Sequence, residues 1–404
     1  MPTALSDSTI AIVKATAPAL AAHGLAITQR MYERMFRNAA IRALFNQSHH
    51  GAAGSQPKAL AAAILAYAQN IDRLEVLASA VERIAQKHVG LNILAEHYPH
   101  VAEALLGAIQ DVLGDAATPE ILAAWGEAYW FLAEILINRE RQIYDAQAAA
   151  PGGWNGWRDF RIEQRARESD VITSFVLRPA DGGGVLQHRP GQHLTFRLDI
   201  PGHGPLKRNY SISSAPDEHR YRISVKREPG GIASNWLHDK AEPGTVLSVA
   251  APAGDFALGD APERPVVLLS GGVGLTPMVS MLEAIAARHP RLRAQFVHGA
   301  LDGATHAMGA RIREIAAGSG GAISAHVFYE RPRAEDRRGR DHDEAGLIDL
   351  DWLRRHTPLA EADYYLCGPK PFMRSFVRGL AEGGVPTERI RYEFFGPADE
   401  LLAA

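Results

Sequence analysis

Four stretches of this chain hold residue types that can do chemistry. The first is His88. In Val81-Glu-Arg-Ile84-Ala85-Gln-Lys87-His88, Val81, Ile84, Ala85 and His88 fall at i, i+3, i+4 and i+7, so the imidazole points where the apolar side chains point. An imidazole aimed into an apolar core must be hydrogen-bonded or must hold a metal, and taken alone the hydrogen-bonded core histidine is the commoner outcome. The second stretch is Arg208-Asn209-Tyr210-Ser211. Arg208 can clamp a phosphate, Tyr210 can lay its ring against a flat heterocycle, and groups near Ser211 can bond that heterocycle's edge. The third, Gly230-Gly231-Ile-Ala-Ser234-Asn235, reads as a glycine turn running into a helix start, which is a phosphate cradle. The fourth is Ser270-Gly271-Gly272-Val273-Gly274-Leu275-Thr276-Pro277, between an apolar strand and an amphipathic helix. Glycines there let the backbone approach a pyrophosphate at the helix N-terminus, although the spacing is not the G-x-G-x-x-G fingerprint. Cys367-Gly368-Pro369 ends another apolar strand, and Cys367 reads as a small buried residue rather than a nucleophile.

The elements that position these residues change period along the chain. A length of 404 residues predicts two to three domains of about 150 residues each. Residues 1–148 are alanine-rich and helical, with six or seven helices and no strand. One helix is expected over Pro57–Leu77, and another from Pro119, a good first helical residue, to about Tyr144. The linker Ala148-Ala-Ala-Pro151-Gly-Gly153 stops the helical pattern. Residues 149–263 then show short alternating strands, at Ile172–Leu177, His193–Leu198, Tyr210–Ser213, Tyr221–Lys226 and Val246–Val249, as in an antiparallel β-barrel. Residues 264–404 alternate strands with helices, as in a parallel, doubly wound α/β sheet. Arg331–Glu344 reads as a solvated charged excursion.

Composition narrows the class. An apolar fraction of 46 % suffices for sizeable cores, and a net charge of −3 implies no nucleic-acid partner. The single cysteine forbids an internal disulfide and points to a reducing, cytoplasmic compartment. No basic and apolar leader opens the chain, and no apolar run approaches the roughly 20 residues that span a bilayer, so stable membrane insertion is not expected.

The order of the motifs is more specific than any one of them. R-x-Y-S, G-G-x-x-S-N, G-G-V-G-x-T-P, C-G-P and an aromatic tail, over residues 155–397, resemble the ferredoxin-NADP reductase superfamily, in which an FAD barrel precedes a nicotinamide domain. A helical domain with an inward histidine, fused to such a reductase, resembles a flavohaemoglobin. In the first third the likeness rests on Tyr32, Phe45, Gln56, Ala85-Gln-Lys87-His88, Tyr98 and Ile137-Asn-Arg139-Glu140.

That resemblance implies haem b, FAD and NAD(P)H as cofactors, and nitric oxide dioxygenase activity that detoxifies nitric oxide under nitrosative stress. It implies His88 as the proximal iron ligand, Tyr98 and Glu140 as a relay to it, and Tyr32 and Gln56 on the distal side where dioxygen binds. Spacing agrees in part. Glu140 continues the stripe of Trp125, Tyr129, Leu132 and Leu136, which buries a carboxylate that needs a partner. Lys87 and Glu393 match positions thought to influence the redox partners, and a solvated ion pair is the plainer reading of both. The implied nucleotide contacts are Arg208, Asn209, Tyr210, Ser211, Gly231, Ser234, Gly272, Val273, Gly274, Leu275, Thr276, Pro277 and the tail Glu393-Phe394-Phe395-Gly396-Pro397. Two departures stand out: His193 replaces a common tyrosine beside the flavin adenine, and Phe394 replaces a common cysteine, with Phe395 matching the aromatic over the flavin ring. A monomer is expected, and lipid in the haem pocket is a further partner the resemblance allows. Alternatives are a gas-binding or sensing globin, or a haem-flavin NADH oxidase, alkylhydroperoxide reductase or ferric reductase. Arg331, Arg333, Arg337 and Arg338 can meet a 2′-phosphate or simply face solvent, which leaves NADH against NADPH open.

Overall fold

The computed structural model describes residues 4–45 and 55–396. By packing, the helices α1–α6 form one compact unit, and the bulk of the later strands and helices form a second.

The first unit holds α1 (Asp7–Met35), α2 (Ala39–Arg42), α3 (Ser55–Gln69), α4 (Ala78–Gly90), α5 (Tyr98–Leu113) and α6 (Pro119–Ala149). Ser6 starts α1 by accepting from the Thr9 amide at 3.1 Å, and Thr118 does the same for Ile121 at the head of α6. Helical periodicity then buries one face of each. Val13, Ile27 and Met31 of α1, Tyr67 and Ala68 of α3, Ala108 and Ile109 of α5, and Trp125 and Ala128 of α6 form the larger core. A smaller cluster joins Ala85 and Val89 of α4 to Tyr98, Ala133, Leu136 and Ile143. Contrary to the expectation about apolar runs, α1 is long and apolar enough by composition to cross a bilayer. One side of it, with Val13, Leu20, Ile27 and Met31, is buried in the core formed with α3, α5 and α6.

The helix expected over Pro57–Leu77 is broken. α3 stops at Gln69, and Leu74 falls in a separate 3₁₀ turn, Leu74–Leu77. The Asn70 side chain donates back to Ala66 O at 2.9 Å, and Lys14 of α1 holds Asp72 at 2.7 Å, so one local bond and one long-range ion pair fix the chain where periodicity alone would carry the helix on.

In the second unit, β1 (Arg158–Arg167), β2 (Ile172–Pro179), β3 (His193–Ile200), β4 (Gly204–Ser211), β5 (Tyr221–Lys226) and β6 (Val246–Val249) form an antiparallel sheet in the order β4-β3-β6-β1-β2-β5. A bridge between Ile212, just past β4, and Ile223 of β5 joins the two ends and curls the sheet on itself. Helix α7 (Ile232–Lys240) follows β5. β1 was not visible in the sequence, because only Phe160 and Ile162 of its ten residues are buried and most of the rest are charged.

The other sheet is parallel, in the order β10-β9-β8-β7-β11-β12. Its strands are β7 (Val266–Gly271), β8 (Ala294–Ala300), β9 (Ile323–Tyr329), β10 (Glu344–Ala345), β11 (Asp363–Cys367) and β12 (Ile390–Glu393). Helices α8 (Leu275–Arg288), α9 (Gly309–Gly318), α10 (Leu350–His356) and α11 (Lys370–Glu382) alternate with them. Every residue of β7 is buried, as in the middle of a covered parallel sheet. The chain leaves β7 toward β8 on one side and returns at β11 on the other, so the topological switch point lies between β7 and β11.

Candidate functional site

The helical unit brings three of the expected residues together. His88, in the last turn of α4, places Nδ1 2.7 Å from Glu140 Oε1 and 3.1 Å from the Tyr98 hydroxyl. Tyr98, first residue of α5, donates to the same Glu140 oxygen at 2.6 Å. Glu140 is 2 % exposed on α6 and would be costly there without these donors. The carboxylate accepts from both, which puts the imidazole proton on Nδ1 and leaves the lone pair on Nε2. Burial first, and then the Glu140 carboxylate, push the Tyr98 phenol well up, so it stays a donor. The His88 side chain is 31 % exposed against 3 % for that of Glu140, and Nε2 makes no hydrogen bond among the described residues. An imidazole oriented by a carboxylate, with Nε2 to offer, is the donor that suits a haem iron.

Props around this cluster escaped the sequence reading. Tyr129 donates to Tyr98 O at 2.7 Å, and Tyr144 to Ile93 O at 2.8 Å, so two phenols of α6 fix the backbone on either side of the turn after His88. Arg139 grips Glu82 with two bonds of 2.6 and 3.0 Å, tying α6 to α4 one residue before Glu140. Tyrosines at 3.6-residue spacing look like plain packing in the sequence; only the tertiary fold shows where their hydroxyls reach. Lys87 is exposed on α4.

Tyr32, on α1, sits in a cage of aromatic rings, 5.5 Å from Phe36 and 5.8 Å from Phe45 between centroids. Burial pushes its phenol up to about 12, so it too is a donor at neutral pH. Gln56, near the start of α3, has a buried Oε1 with no partner among the described residues. An orphaned amide oxygen is expensive in a closed core and is what a bound polar group would satisfy.

In the second unit, Arg208 and Tyr210 alternate on one face of β4, with Asn209 exposed between them and Ser211 buried at the strand end. The Tyr210 ring lies 5.6 Å from Phe196, and burial pushes its phenol up to about 12. Burial draws the Arg208 guanidinium down, the mark of a cation taken from water. His193 opens β3 and lies against Gly254, where an added Cβ would sit 3.0 Å from His193 Nδ1. Gly231 heads α7, whose first amides have no intrahelical acceptors. Ser234 Oγ accepts from the Glu228 amide at 3.1 Å, so this side chain shapes the turn rather than standing free.

At the switch point, Gly272–Gly274 form one 3₁₀ turn and Leu275, Thr276 and Pro277 open α8, all three buried. Gly272 has φ +54°, and a Cβ on Gly274 would stand 2.1 Å from Cys367 O. The Thr276 hydroxyl donates to Val273 O at 3.1 Å. Thus the turn after β7 lies directly against Cys367-Gly368 after β11. Cys367 is fully buried and its thiol is pushed well up, which suits the structural reading. Glu393 pairs in register with Cys367, so Glu393, Phe394, Phe395 and Gly396 leave the same carboxyl edge of the sheet. Phe395 is 47 % exposed, an unusual position for a large aromatic side chain. Pro397 lies outside the described residues.

The charged stretch Arg331–Glu344 is largely exposed, as expected, and is tied down by ion pairs. Arg333 pairs with Asp302 at 2.7 Å, Arg338 with Glu344 at 2.6 Å and Arg331 with Glu330 at 3.7 Å, and its end forms β10. The Arg333–Asp302 pair joins residues too far apart to read from spacing.

The globin family matches residues 29–136, the oxidoreductase FAD-binding domain residues 159–258, and the oxidoreductase NAD-binding domain residues 268–378. The chain is 54 % identical over 404 residues, all of both proteins, to the flavohemoprotein of Xylella fastidiosa. Its fold is similar to the crystal structure of the flavohemoglobin of Malassezia yamatoensis with bound FAD and heme, at a TM-score of 0.86 and 28 % identity, covering 98 % of this chain and all of that one. It is also similar to the FAD/NAD-binding domain of nitric oxide dioxygenase from Vibrio cholerae, at a TM-score of 0.54 and 36 % identity, over 59 % of this chain and 99 % of that one.

Proposed function

Because this chain belongs to the flavohaemoprotein family, an oxidoreductase family of globin, FAD and nicotinamide domains, we propose that it is a nitric oxide dioxygenase. It converts nitric oxide and dioxygen to nitrate with electrons from NAD(P)H. The observation that carries this reading is the convergence of His88 and Tyr98 on one oxygen of Glu140. Bound haem supplies an iron for dioxygen, and bound FAD splits a hydride's two electrons into single ones.

The chain's residues do the rest. His88 offers Nε2 to the iron. Glu140 accepts the Nδ1 proton and so raises the donor strength of the ring. Tyr98 shares that carboxylate and keeps it from turning away. With haem bound, Tyr32 would offer its hydroxyl proton to the dioxygen substrate, and Gln56 would supply a second polar group on the same side. Arg208, Tyr210, Ser211 and His193 hold the flavin nucleotide, with the amides at Gly231 and Ser234 on its phosphate. Gly272 to Pro277 hold the nicotinamide nucleotide's pyrophosphate at the α8 N-terminus. With the cofactors bound, Phe395 would cover the flavin ring, and Lys87 and Glu393 would tune the two redox centres. A cytoplasmic setting, where the nicotinamide is reduced, belongs to the same proposal.

Each nitrate formed from nitric oxide and dioxygen takes up one electron, so one hydride serves two turnovers. The test is to measure nitrate against NADH consumed, with nitric oxide added under air. Nitric oxide should accelerate NADH loss and give two nitrate ions per NADH. NADH loss that ignores nitric oxide and yields no nitrate would replace this reading with an NADH oxidase.

A further inference from the structure

Hydride transfer needs the nicotinamide and flavin held at reacting distance, yet their cradles sit on different sheets. The flavin strand β4 ends at Ser211, and the chain runs on through Ser213, Ser214 and Ala215. The nucleotide turn ends at Gly274, and α8 runs on through Ser280 and Glu283. These two continuations meet. The Glu283 carboxylate accepts from the Ala215 amide at 2.9 Å through Oε2 and from Arg222 Nη2 of β5 at 3.1 Å through Oε1. The same Oε1 lies 3.5 Å from Arg311 Nε of α9, and the side chain is 10 % exposed. Arg222 also donates to Ser213 O. One turn back on α8, Ser280 donates to Ser214 O at 2.7 Å. His188 Nε2 completes the group, 3.1 Å from Ser214 O and 3.2 Å from Ser280 Oγ.

We propose that Glu283 is a positioning residue for hydride transfer, bolting the nucleotide-bearing helix α8 to the strand that carries the flavin. The inference rests on the reading that this chain passes hydride from NAD(P)H to FAD. Three features single out Glu283 from ordinary packing. Its two oxygens take donors from a β4-derived loop, from β5 and from α9, so it fixes rotation as well as distance. It is nearly buried, so water cannot easily stand in for a lost partner. It lies eight residues along a rigid helix from Leu275, about 12 Å at 1.5 Å per residue, so a small tilt at the bolt moves the turn that aligns the nicotinamide. Glu283 touches neither cofactor and acts through geometry alone.

The test uses the holoenzyme in anaerobic stopped flow, reading the rate of FAD reduction at saturating NADH, the isotope effect with 4-deuterated NADH, and FAD and haem content. A misplacement on the order of 1 Å costs up to about 100-fold in a transfer of this kind, so Glu283→Ala should lower the limiting rate by ~10-fold or more. The isotope effect should rise toward its full value as hydride transfer becomes the slow step, with both cofactors retained. Arg222→Ala should produce a smaller loss in the same direction, and the double variant should be no slower than Glu283→Ala alone, since both remove one bolt. Glu283→Gln, which keeps the bond from Ala215, should recover part of the rate. A limiting rate within about twofold of the unsubstituted enzyme overturns the inference, as does a loss that only follows FAD loss in proportion. If NADH fails to reduce the FAD of the unsubstituted enzyme, the functional reading falls first and takes this inference with it.

Discussion

Two donors on one carboxylate oxygen make the His88 cluster cooperative: removing either partner leaves Glu140 buried with half its support. Glu140→Gln should therefore keep haem but lose roughly 10–100-fold in turnover, the usual cost of a displaced partner of a metal-bound imidazole. The change in the ferrous spectrum and in nitrate formation, measured together, checks it. His88→Ala should copurify with little haem while keeping its FAD; a full haem complement would remove the ligand assignment. Tyr32→Phe should speed oxygen dissociation and depress nitrate formation while leaving FAD reduction by NADH intact, and an unchanged dissociation rate would end its distal role. At this scale the sequence was legible where periodicity speaks. His88 and Glu140 both follow apolar stripes, so the helix face each sits on could be read directly. Tyr98 could not, since a tyrosine before Pro99 at a helix start looks like packing, and only the family likeness gave it a role. The Tyr129 and Tyr144 hydroxyls reach backbone carbonyls of distant residues, which no local pattern encodes.

Elements were legible in proportion to how one-sided their burial is. β7, buried throughout, and α8, with its apolar face, stood out at once. β1 did not, because its charged outer positions hide a strand that makes two pairings. β4 was expected to begin at Tyr210 but begins at Gly204, since Lys207 and Arg208 mask its alternation. The glycine turn before α8 was legible as a turn between strand and helix, but its contact with Cys367 was not, because the two segments are brought together only by strand order. That contact makes Gly274 the least replaceable residue of the turn. Gly274→Ala must push Cys367 O away from a Cβ otherwise 2.1 Å distant. It should cost ~1–3 kcal/mol of stability, as overpacking does. It should also raise KM for NADH without altering the haem spectrum, which urea titration and steady-state kinetics would check.

For the molecule as a whole, the second unit carries a pH dependence that the first does not explain. His188 is buried where the barrel meets α8, and desolvation draws its imidazole from 6.5 down to about 3. The neutral ring is the folded form, so as pH falls the unfolded chain takes up the proton first. The contribution to stability is complete above about pH 6.5 and drains away below it, by ~1.4 kcal/mol per pH unit, until the folded value is reached. Urea midpoints at pH 7 and pH 5 should show the loss, and His188→Gln should show a shallower one. The three-part order of helical, antiparallel and alternating regions was legible from changes of period, whereas the bonds among His188, Ser214 and Ser280 needed the fold. One feature of the parallel sheet bears on how copies of this chain meet. Its outermost strands, β10 with two residues and β12 with four, are also its shortest. Among the described residues, a second chain seeking to add a strand finds almost no ladder to extend, while the longer, largely buried strands that would template aggregation are shielded in the middle.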